Sequence, residues 1–131
     1  MTARAILGTM TFAGQTCKAD AATMLRAFSC AAVATPNGSV AQVDSARLYC
    51  AGKTEALIGE LCAEDPALAA ALAVATKAHP FMGAVLDTAG VDAQLGGSLA
   101  ALGKERVDLF YLHGPCAKTP IGETLAAVQQ H

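Results

Sequence analysis

The sequence predicts an α/β fold in which four strand–helix units share one parallel sheet. Four short apolar runs alternate with four stretches whose apolar residues recur at the three- and four-residue steps of a helix. Such alternation favours parallel strands joined by right-handed crossovers. On this pattern alone an open doubly wound sheet fits as well as a barrel. The sequence has neither a Gly-x-Gly-x-x-Gly after the first strand nor a Gly-x-x-x-x-Gly-Lys-Ser/Thr motif, so the usual phosphate loops of doubly wound sheets are absent.

Composition narrows the class of protein. With 131 residues and a net charge of −2, the chain is expected to be one domain or part of one. Charged residues make up 15%, which indicates either an alanine-rich globular protein or a chain whose surface is partly covered by something else. The mildly acidic balance predicts no nucleic-acid partner, and no apolar run reaches the ~20 residues of a membrane span. The N-terminus lacks the pattern of a secretory signal, so a cytoplasmic location is expected.

The cysteines predict free thiols. They are odd in number, scattered and without a Cys-x-x-Cys pair, which favours a reducing compartment over a disulfide framework or a zinc site, and no metal site is expected. Thiol catalysis by Cys50 or Cys116 is weakly supported, because spacing alone places no residue to activate either thiol. The five cysteines are Cys17, Cys30, Cys50, Cys62 and Cys116.

The first unit begins with a buried strand over residues 5–12, with a tight exit after it. A helix follows, for which Asp20 is the predicted cap. The turn predicted at residues 35–38 carries Pro-Asn-Gly, where proline stops the helix and Asn-Gly tolerates positive φ. The predicted core face of this helix consists of Met24, Leu25, Phe28 and Ala32.

The second unit has a strand over residues 40–43, which is interrupted by Gln42 and delivers Asp44. Gly52 then breaks the chain, and a helix is predicted from Thr54 to the Asp-Pro pair at residues 65–66. Its buried face is predicted to contain Leu57, Ile58 and Leu61.

The third strand, residues 72–76, is small and branched, as in a strand buried on both faces, and it leads into Lys77. After a turn at residues 79–81, a helix is predicted to end at Gly103. Its core face contains Val91, Leu95, Leu99 and Leu102.

The fourth strand, residues 107–112, leads into His113 and is broken by Gly-Pro. The last helix is predicted to have Thr119 as its cap, Pro120 at its first position and Glu123 in its first turn. It has barely begun where the sequence ends.

Four ionisable side chains lie at or just past the ends of successive strands. They are Asp44, Tyr49, Lys77 and His113, and in a parallel sheet or barrel those ends open on one face. A phenol is a poor acid at neutral pH unless an ammonium stabilises its phenolate. A carboxylate would hold the lysine, and a histidine would bond to the same substrate oxygen. This set predicts general acid catalysis in a hydride transfer, with the hydride supplied by a cofactor.

Each of these residues also has a purely structural interpretation. An aspartate after a strand is more often a cap, a tyrosine there is usually packing, and His113 could be a satisfied core histidine. Lys77 is harder to explain, because lysine is rarely buried unpaired. His79 is interpreted as a loop residue and His131 as a terminal one. If the four side chains were scattered in space, an unrelated α/β binding domain would be the better interpretation.

The sequence resembles the aldo-keto reductase superfamily. The resemblance covers nearly the whole chain. It rests on the Asp-Ser-Ala-x-x-Tyr-x-x-Gly-x-x-Glu-x-x-Ile-Gly pattern of residues 44–59, the Ala-Thr-Lys of residues 75–77 and the run at residues 99–113. Within the superfamily, residues 8–12, 76–81 and 119–125 are similar to the aflatoxin aldehyde reductase branch. The resemblance implies a (β/α)₈ TIM barrel and NADPH-dependent reduction of aldehydes and ketones to alcohols.

The resemblance also implies roles for five residues. Tyr49 would be the proton donor, and Lys77 would assist its ionisation. Asp44 would pair with Lys77 and lie near the nicotinamide ribose, as a cofactor-binding residue. His113 would orient the carbonyl oxygen of the substrate. Phe81 would line the substrate pocket, where that branch usually has tryptophan.

Length is the main departure from the resembled family. A complete barrel needs about 250 residues. The 131 residues are therefore expected to be the N-terminal part of the domain, truncated in the fourth helix, with most of the NADPH site in the absent half. An insertion at residues 35–39 is expected to lengthen the first crossover. Open edges on the first and fourth strands predict self-association. The alternative is a catalytically inactive half barrel or non-catalytic partner subunit.

Overall fold

The described part of the chain is a four-stranded parallel sheet with helices between its strands. The computed structural model describes residues 5–33 and 40–131. Strand order in the sheet is β1-β2-β3-β4, and every pairing is parallel. The strands are β1 (Leu7–Gly8), β2 (Ala41–Asp44), β3 (Leu72–Ala78) and β4 (Leu109–Leu112). The helices are α1 (Lys18–Val33), α2 (Lys53–Glu64), α3 (Pro66–Ala71), α4 (Thr88–Leu102) and α5 (Ile121–Val128), and the short 3₁₀ turn Tyr49–Gly52 precedes α2.

The strand order confirms the predicted alternation of strands and helices. It also decides between the two architectures that fit this alternation, a doubly wound sheet and a barrel. A doubly wound sheet reverses its strand order at a switch point, where its ligands bind. Here sequential strands are simply neighbours from β1 to β4, which is the arrangement of a barrel. Within the described ranges, no helix is long and apolar enough to cross a membrane, and no group of three or more His, Cys, Asp or Glu residues could hold a metal ion.

The first strand is much shorter than predicted. Only Leu7 and Gly8 pair, with Val43 and Asp44 of β2, whereas residues 5–12 were expected to be extended. The Thr9 amide and hydroxyl still donate to the Asp44 carbonyl oxygen at 3.0 Å, and the chain then turns, with the Phe12 amide donating to the Thr9 carbonyl oxygen at 3.0 Å. The tight exit is confirmed. The strand is short because this local turn captures the backbone that would otherwise pair.

Helix α1 begins two residues earlier than the predicted cap. Asp20 lies in its first turn, where its carboxylate accepts a hydrogen bond from the Cys17 thiol at 3.2 Å, so its assignment as the cap is wrong. Leu25 is fully buried as predicted, but Met24 is 40% exposed and lies outside the core face. Ala21 is fully buried in that face. The turn predicted at residues 35–38 and the insertion at residues 35–39 lie outside the described residues.

Helix α2 buries its predicted face, since Leu57, Ile58 and Leu61 all belong to the core. The pair at residues 65–66 ends this helix and also begins α3, which was not predicted. Asp65 is the cap of α3, because its carboxylate accepts a hydrogen bond from the Leu68 amide at 3.1 Å. A single Asp-Pro pair therefore separates two helices.

Helix α4 ends at Gly103 as predicted, with Gly103 in the left-handed conformation at φ 63°. Strand β4 begins at Leu109, two residues later than expected. The start of α5 corrects the assignment of Thr119 as a cap. Pro120 occupies the N-cap position, and the Thr119 hydroxyl accepts a hydrogen bond from the Cys116 thiol at 3.4 Å instead. Glu123 lies in the first turn, as predicted.

Strand β3 is buried on one face only, which corrects the expectation that both faces are covered. Residues from Leu72 to Ala78 alternate between buried and partly exposed. The buried side chains, such as Val74, pack against the helices. The other face lines an open cavity of about 430 Å³, together with residues that include Ile6, Asp108 and Tyr111. One side of the sheet is therefore a core, and the other is an unfilled surface.

Gly59 of α2 lies directly against the backbone of α4, and its replacement by alanine is expected to be destabilising. A Cβ at residue 59 would overlap the Ala101 carbonyl oxygen and lie 3.0 Å from the Leu102 backbone. We expect Gly59→Ala to lower the free energy of unfolding by about 1–3 kcal/mol through overpacking, although alanine is the better helix former. Urea denaturation measures this change.

Gly96 provides the matched control, because it is an exposed helical glycine of α4 whose added Cβ would meet nothing within 4 Å. Gly96→Ala is expected to raise the free energy of unfolding by about 0.5–1 kcal/mol. Opposite signs for the two substitutions are the expected result. Stabilisation by both would show that the helices are not in close contact at Gly59.

Candidate active site

The parallel sheet brings three of the predicted site residues to one edge. Asp44 is the last residue of β2, Lys77 is the next-to-last residue of β3, and His113 directly follows β4. Because β2, β3 and β4 are in parallel register, these carboxyl ends lie side by side. Tyr49 begins the 3₁₀ turn that leads from β2 into α2, so its ring returns over the same edge.

The Lys77 ammonium is the centre of the site. It donates to Asp44 Oδ2 at 2.7 Å, to the Ser45 carbonyl oxygen at 2.7 Å and to the Tyr49 hydroxyl oxygen at 3.3 Å. These three bonds use all three N–H donors of an ammonium group. The Lys77 side chain is only 14% exposed, and the adjacent Asp44 carboxylate offsets the cost of removing its charge from water.

Tyr49 is held at the cluster by an unusual backbone. Cys50 and Ala51 have φ values of 48° and 54°, and Gly52 follows at 86°. Left-handed φ at non-glycine residues costs roughly 1–3 kcal/mol each and is found where surrounding structure imposes it. Sequence reasoning identified only Gly52 as a break in the chain. The hydroxyl oxygen of Tyr49 accepts from Lys77, so its own proton is free to be donated elsewhere.

His113 lies beside the phenol as a neutral imidazole. Its ring is perpendicular to that of Tyr49, with ring centroids 5.6 Å apart. Burial lowers the pKa of His113, and the positive charges of Lys77 and His79 lower it further, against a smaller opposing effect of Asp44. Its Nδ1 atom is buried with no hydrogen-bond partner among the described residues. A proton on Nδ1 would be buried and unpaired, so the favoured tautomer carries it on Nε2.

Phe81 and His79 extend the cluster beyond the four ionisable residues. The Phe81 ring meets His113 edge-on at 5.9 Å and stacks on His79 at 6.1 Å. His79 is fixed by Gln94, whose side-chain amide bonds to both the N–H and the carbonyl oxygen of His79. Sequence reasoning interpreted His79 as a plain loop residue, although its position two residues after Lys77 was the available signal.

Other ionisable groups lie apart from the cluster. His131 pairs with Asp92 at 2.8 Å on the surface, in agreement with its interpretation as a terminal residue. When Cys116 ionises, the Thr119 hydroxyl can donate to the thiolate, and this hydrogen bond lowers the pKa of Cys116. Burial raises the pKa of Cys62. All five cysteines are free, as predicted.

The geometry rejects the interpretation in which the four residues are scattered. Tyr49 and Asp44 both contact the Lys77 ammonium, and the Tyr49 ring contacts the His113 ring. The sequential strand order β1-β2-β3-β4, with polar side chains converging at the carboxyl ends of the strands, is that of a protein of the β/α-barrel class. The chain belongs to the aldo/keto reductase family, because the sequence model of that family matches residues 4–131.

The curated proteins that this chain is similar to include aldehyde reductases. Aflatoxin B1 aldehyde reductase member 2 of Rattus norvegicus is 38% identical over 125 residues, which are 95% of this chain and 32% of the relative. Aflatoxin B1 aldehyde reductase member 4 of Homo sapiens is 40% identical over 89 residues, which are 68% of this chain and 27% of the relative. The chain therefore spans about a third of the length of the curated relatives it matches.

Solved structures confirm the barrel-type fold. The thermostable aldo-keto reductase Tm1743, in complex with the inhibitor epalrestat, matches with a TM-score of 0.69 and 27% identity over 95% of this chain and 43% of its own. An aldo-keto reductase from Klebsiella pneumoniae in complex with NADPH matches with a TM-score of 0.72 and 23% identity over 95% of this chain and 39% of its own. The four strand–helix units thus correspond to part of a TIM barrel.

Proposed function

We propose that these four units are the N-terminal, catalytic part of a carbonyl reductase domain that uses NADPH to reduce aldehydes and ketones to alcohols. The single observation that carries the proposal is the Lys77 ammonium, which bonds at once to the Asp44 carboxylate and the Tyr49 hydroxyl. Family membership supports the reaction class. The free cysteines fit a reducing compartment such as the cytoplasm.

Tyr49 is the proposed general acid. As the carbonyl oxygen gains negative charge, the Tyr49 hydroxyl transfers its proton to that oxygen, and the phenolate left behind is stabilised by the Lys77 ammonium. Asp44 keeps the ammonium in place from its other side, at 2.7 Å. The Nε2–H of His113 donates a hydrogen bond to the same carbonyl oxygen and so fixes its position between the two rings. When bound, NADPH supplies the hydride to the carbonyl carbon.

The described residues fit one end of this cofactor. Asp44 is 30% exposed and only its Oδ2 atom bonds to Lys77, so its second oxygen is available to a ribose hydroxyl. The cavity on the same side of the sheet is lined by two carboxylates, Asp44 and Asp108, and by no cationic side chain among the described residues. That lining suits the uncharged nicotinamide ribose and not the phosphates, whose ligands are proposed to lie in a further part of the domain.

Phe81 is the proposed wall of the substrate pocket. Its ring is 41% exposed and stands edge-on to His113, which directs an apolar surface towards the position proposed for the carbonyl group. Gly114 is compatible with this placement, because a Cβ there would lie 2.9 Å from the Phe81 ring. An apolar or aromatic group next to the carbonyl is therefore the preferred substrate feature.

A non-catalytic half barrel is the second candidate, and the unfilled face of the sheet favours it. Leu109 and Tyr111 of the edge strand β4 are 48% and 41% exposed, and Ile6 beside β1 is exposed as well. Apolar side chains on an edge strand attract another chain. In this alternative the half barrel associates with itself or with a partner subunit, and the four site residues are present without turnover.

The two candidates are separated by titrating the chain with NADPH in the presence of the proposed further part of the domain and following nicotinamide fluorescence, with aldehyde-dependent NADPH oxidation as the second readout. Saturable binding with turnover is the result expected for the reductase. A folded chain that binds no NADPH, and that sedimentation shows to be associated, is the result expected for the non-catalytic half barrel. Folding is checked by circular dichroism in both cases.

A further inference from the structure

Glu55 is a fully buried carboxylate behind the proposed active site. Its exposed fraction is 0%, and its two oxygens have different partners. The Thr76 hydroxyl donates to Oε1 at 2.5 Å, and Nη1 of Arg47 donates to Oε2 at 3.3 Å. A carboxylate removed from water is stable only with such partners, so the arrangement of all three residues is mutually dependent.

Both partners of Glu55 are attached to the proposed catalytic residues. Thr76 directly precedes Lys77 on β3, and Arg47 lies two residues before Tyr49. The Arg47 amide also donates to the Lys77 carbonyl oxygen at 3.2 Å. Glu55 therefore links the strand that carries Lys77 to the turn that carries Tyr49.

The Arg47 guanidinium occupies the space beside the left-handed turn. A Cβ added to Gly52 or to Gly97 of α4 would collide with it or crowd it. The ion pair with Glu55 thus holds the guanidinium between the turn and α4. The guanidinium therefore lies directly against Gly52, the last residue of the left-handed turn.

We infer that Glu55 is a positioning residue, which sets the distance between Lys77 and Tyr49 by tying Thr76 and Arg47 together. The inference rests on the proposed function. Thr76 is fully buried on the helix side of β3 and Lys77 is on the cavity side, so Glu55 acts through its neighbours and touches no substrate. A carboxylate is needed because both of its oxygens accept hydrogen bonds. The side-chain amide of glutamine has one oxygen and one NH₂ group, so either the Thr76 hydroxyl or the Arg47 guanidinium would face another donor.

The test is the hydrogen exchange of the Lys77 ammonium group, followed by NMR of protein with ¹⁵N-labelled lysine. Its three hydrogen bonds slow exchange with water, and an opened site accelerates it.

Glu55→Gln is expected to raise the Lys77 exchange rate at least about tenfold through local opening. Glu64→Gln, an exposed carboxylate of the same helix, and Ile58→Val, which removes a core methyl group, are expected to leave the rate within about twofold. Thr76→Val removes the hydrogen bond from Thr76 to Glu55 and is expected to accelerate exchange as Glu55→Gln does. This second variant keeps the test decisive if Glu55→Gln does not fold.

Three outcomes decide the inference. Faster exchange in Glu55→Gln or Thr76→Val, without a change in Ile58→Val, supports a positioning role, because lost stability alone would affect Ile58→Val as well. Unchanged exchange in folded Glu55→Gln and Thr76→Val, with faster exchange in Asp44→Asn, overturns the inference and leaves the proposed function standing. A Lys77 ammonium that is unprotected in the unsubstituted protein overturns both.

Discussion

Replacement of Tyr49 by phenylalanine is expected to lower kcat/KM for aldehyde reduction by about 10²–10⁴-fold, the usual contribution of a general acid. The substitution removes one oxygen atom and keeps the ring that packs against His113 at 5.6 Å. It also removes the acceptor of one hydrogen bond from Lys77, whose two other bonds remain. The rate of NADPH oxidation by the complete domain measures this loss. The affinity for NADPH is expected to change by no more than about threefold, because Tyr49 is proposed to act in the chemical step and not in cofactor binding.

Tyr111 is the matched control for this experiment. It is the other tyrosine of the chain and lies on β4. Its ring centroid is 5.9 Å from the Lys77 nitrogen, whose three N–H groups donate to Asp44, Ser45 and Tyr49. Tyr111→Phe is expected to retain activity within about threefold, since Tyr49, the proton donor proposed for the reaction, is kept. Equal losses in both variants, or full activity of Tyr49→Phe, would remove Tyr49 from the mechanism.

Replacement of Lys77 by methionine is expected to have an effect of similar size, about 10²–10⁴-fold on kcat. Methionine keeps the length of the side chain but cannot stabilise the phenolate that proton transfer leaves on Tyr49. It also leaves the Asp44 carboxylate and the Ser45 carbonyl oxygen without the donor that contacts each at 2.7 Å. Kinetics and a thermal melt measure the two consequences separately, because the loss of activity is expected to exceed any loss of folded protein.

Two comparisons make the Lys77 prediction specific. Lys53→Met changes an exposed lysine at the start of α2 and is expected to leave kcat unchanged within about twofold. The double variant Tyr49→Phe with Lys77→Met is expected to be no worse than the poorer single variant, because the two side chains are proposed to act in one proton transfer. Multiplicative losses would show that Lys77 acts independently of Tyr49.

Much of the fold could be predicted from local pattern. The four alternating units, the burial of Leu57, Ile58 and Leu61, and the end of α4 at Gly103 follow from periodicity and glycine geometry, which neighbouring residues determine. Two predictions were wrong at segments where other hydrogen bonds compete with regular secondary structure: the cap of α5 and the length of β1. Thr119 bonds to a thiol and does not cap α5, and the turn after Gly8 shortens β1.

The convergence of the site was predictable for a physical reason. Parallel strands place all their carboxyl ends at one edge, so residues far apart in sequence, such as Asp44 and His113, were expected to be neighbours there. Their side chains do lie in one cluster around Lys77. His79 was missed because its interactions with Phe81 and Gln94 are made by a loop and by a later helix, whose relative positions no local pattern specifies.

By itself the sequence determined the order of strands and helices, their parallel direction and the residues at the strand ends, because periodicity, turn chemistry and the geometry of parallel strands are local or topological properties. Tertiary structure alone decided the burial of Glu55, the left-handed turn after Tyr49 and the open inner face of β3. Each of these depends on which distant groups come into contact. A carboxylate such as Glu55 looks like any surface residue of a helix until Thr76 and Arg47 are placed against it.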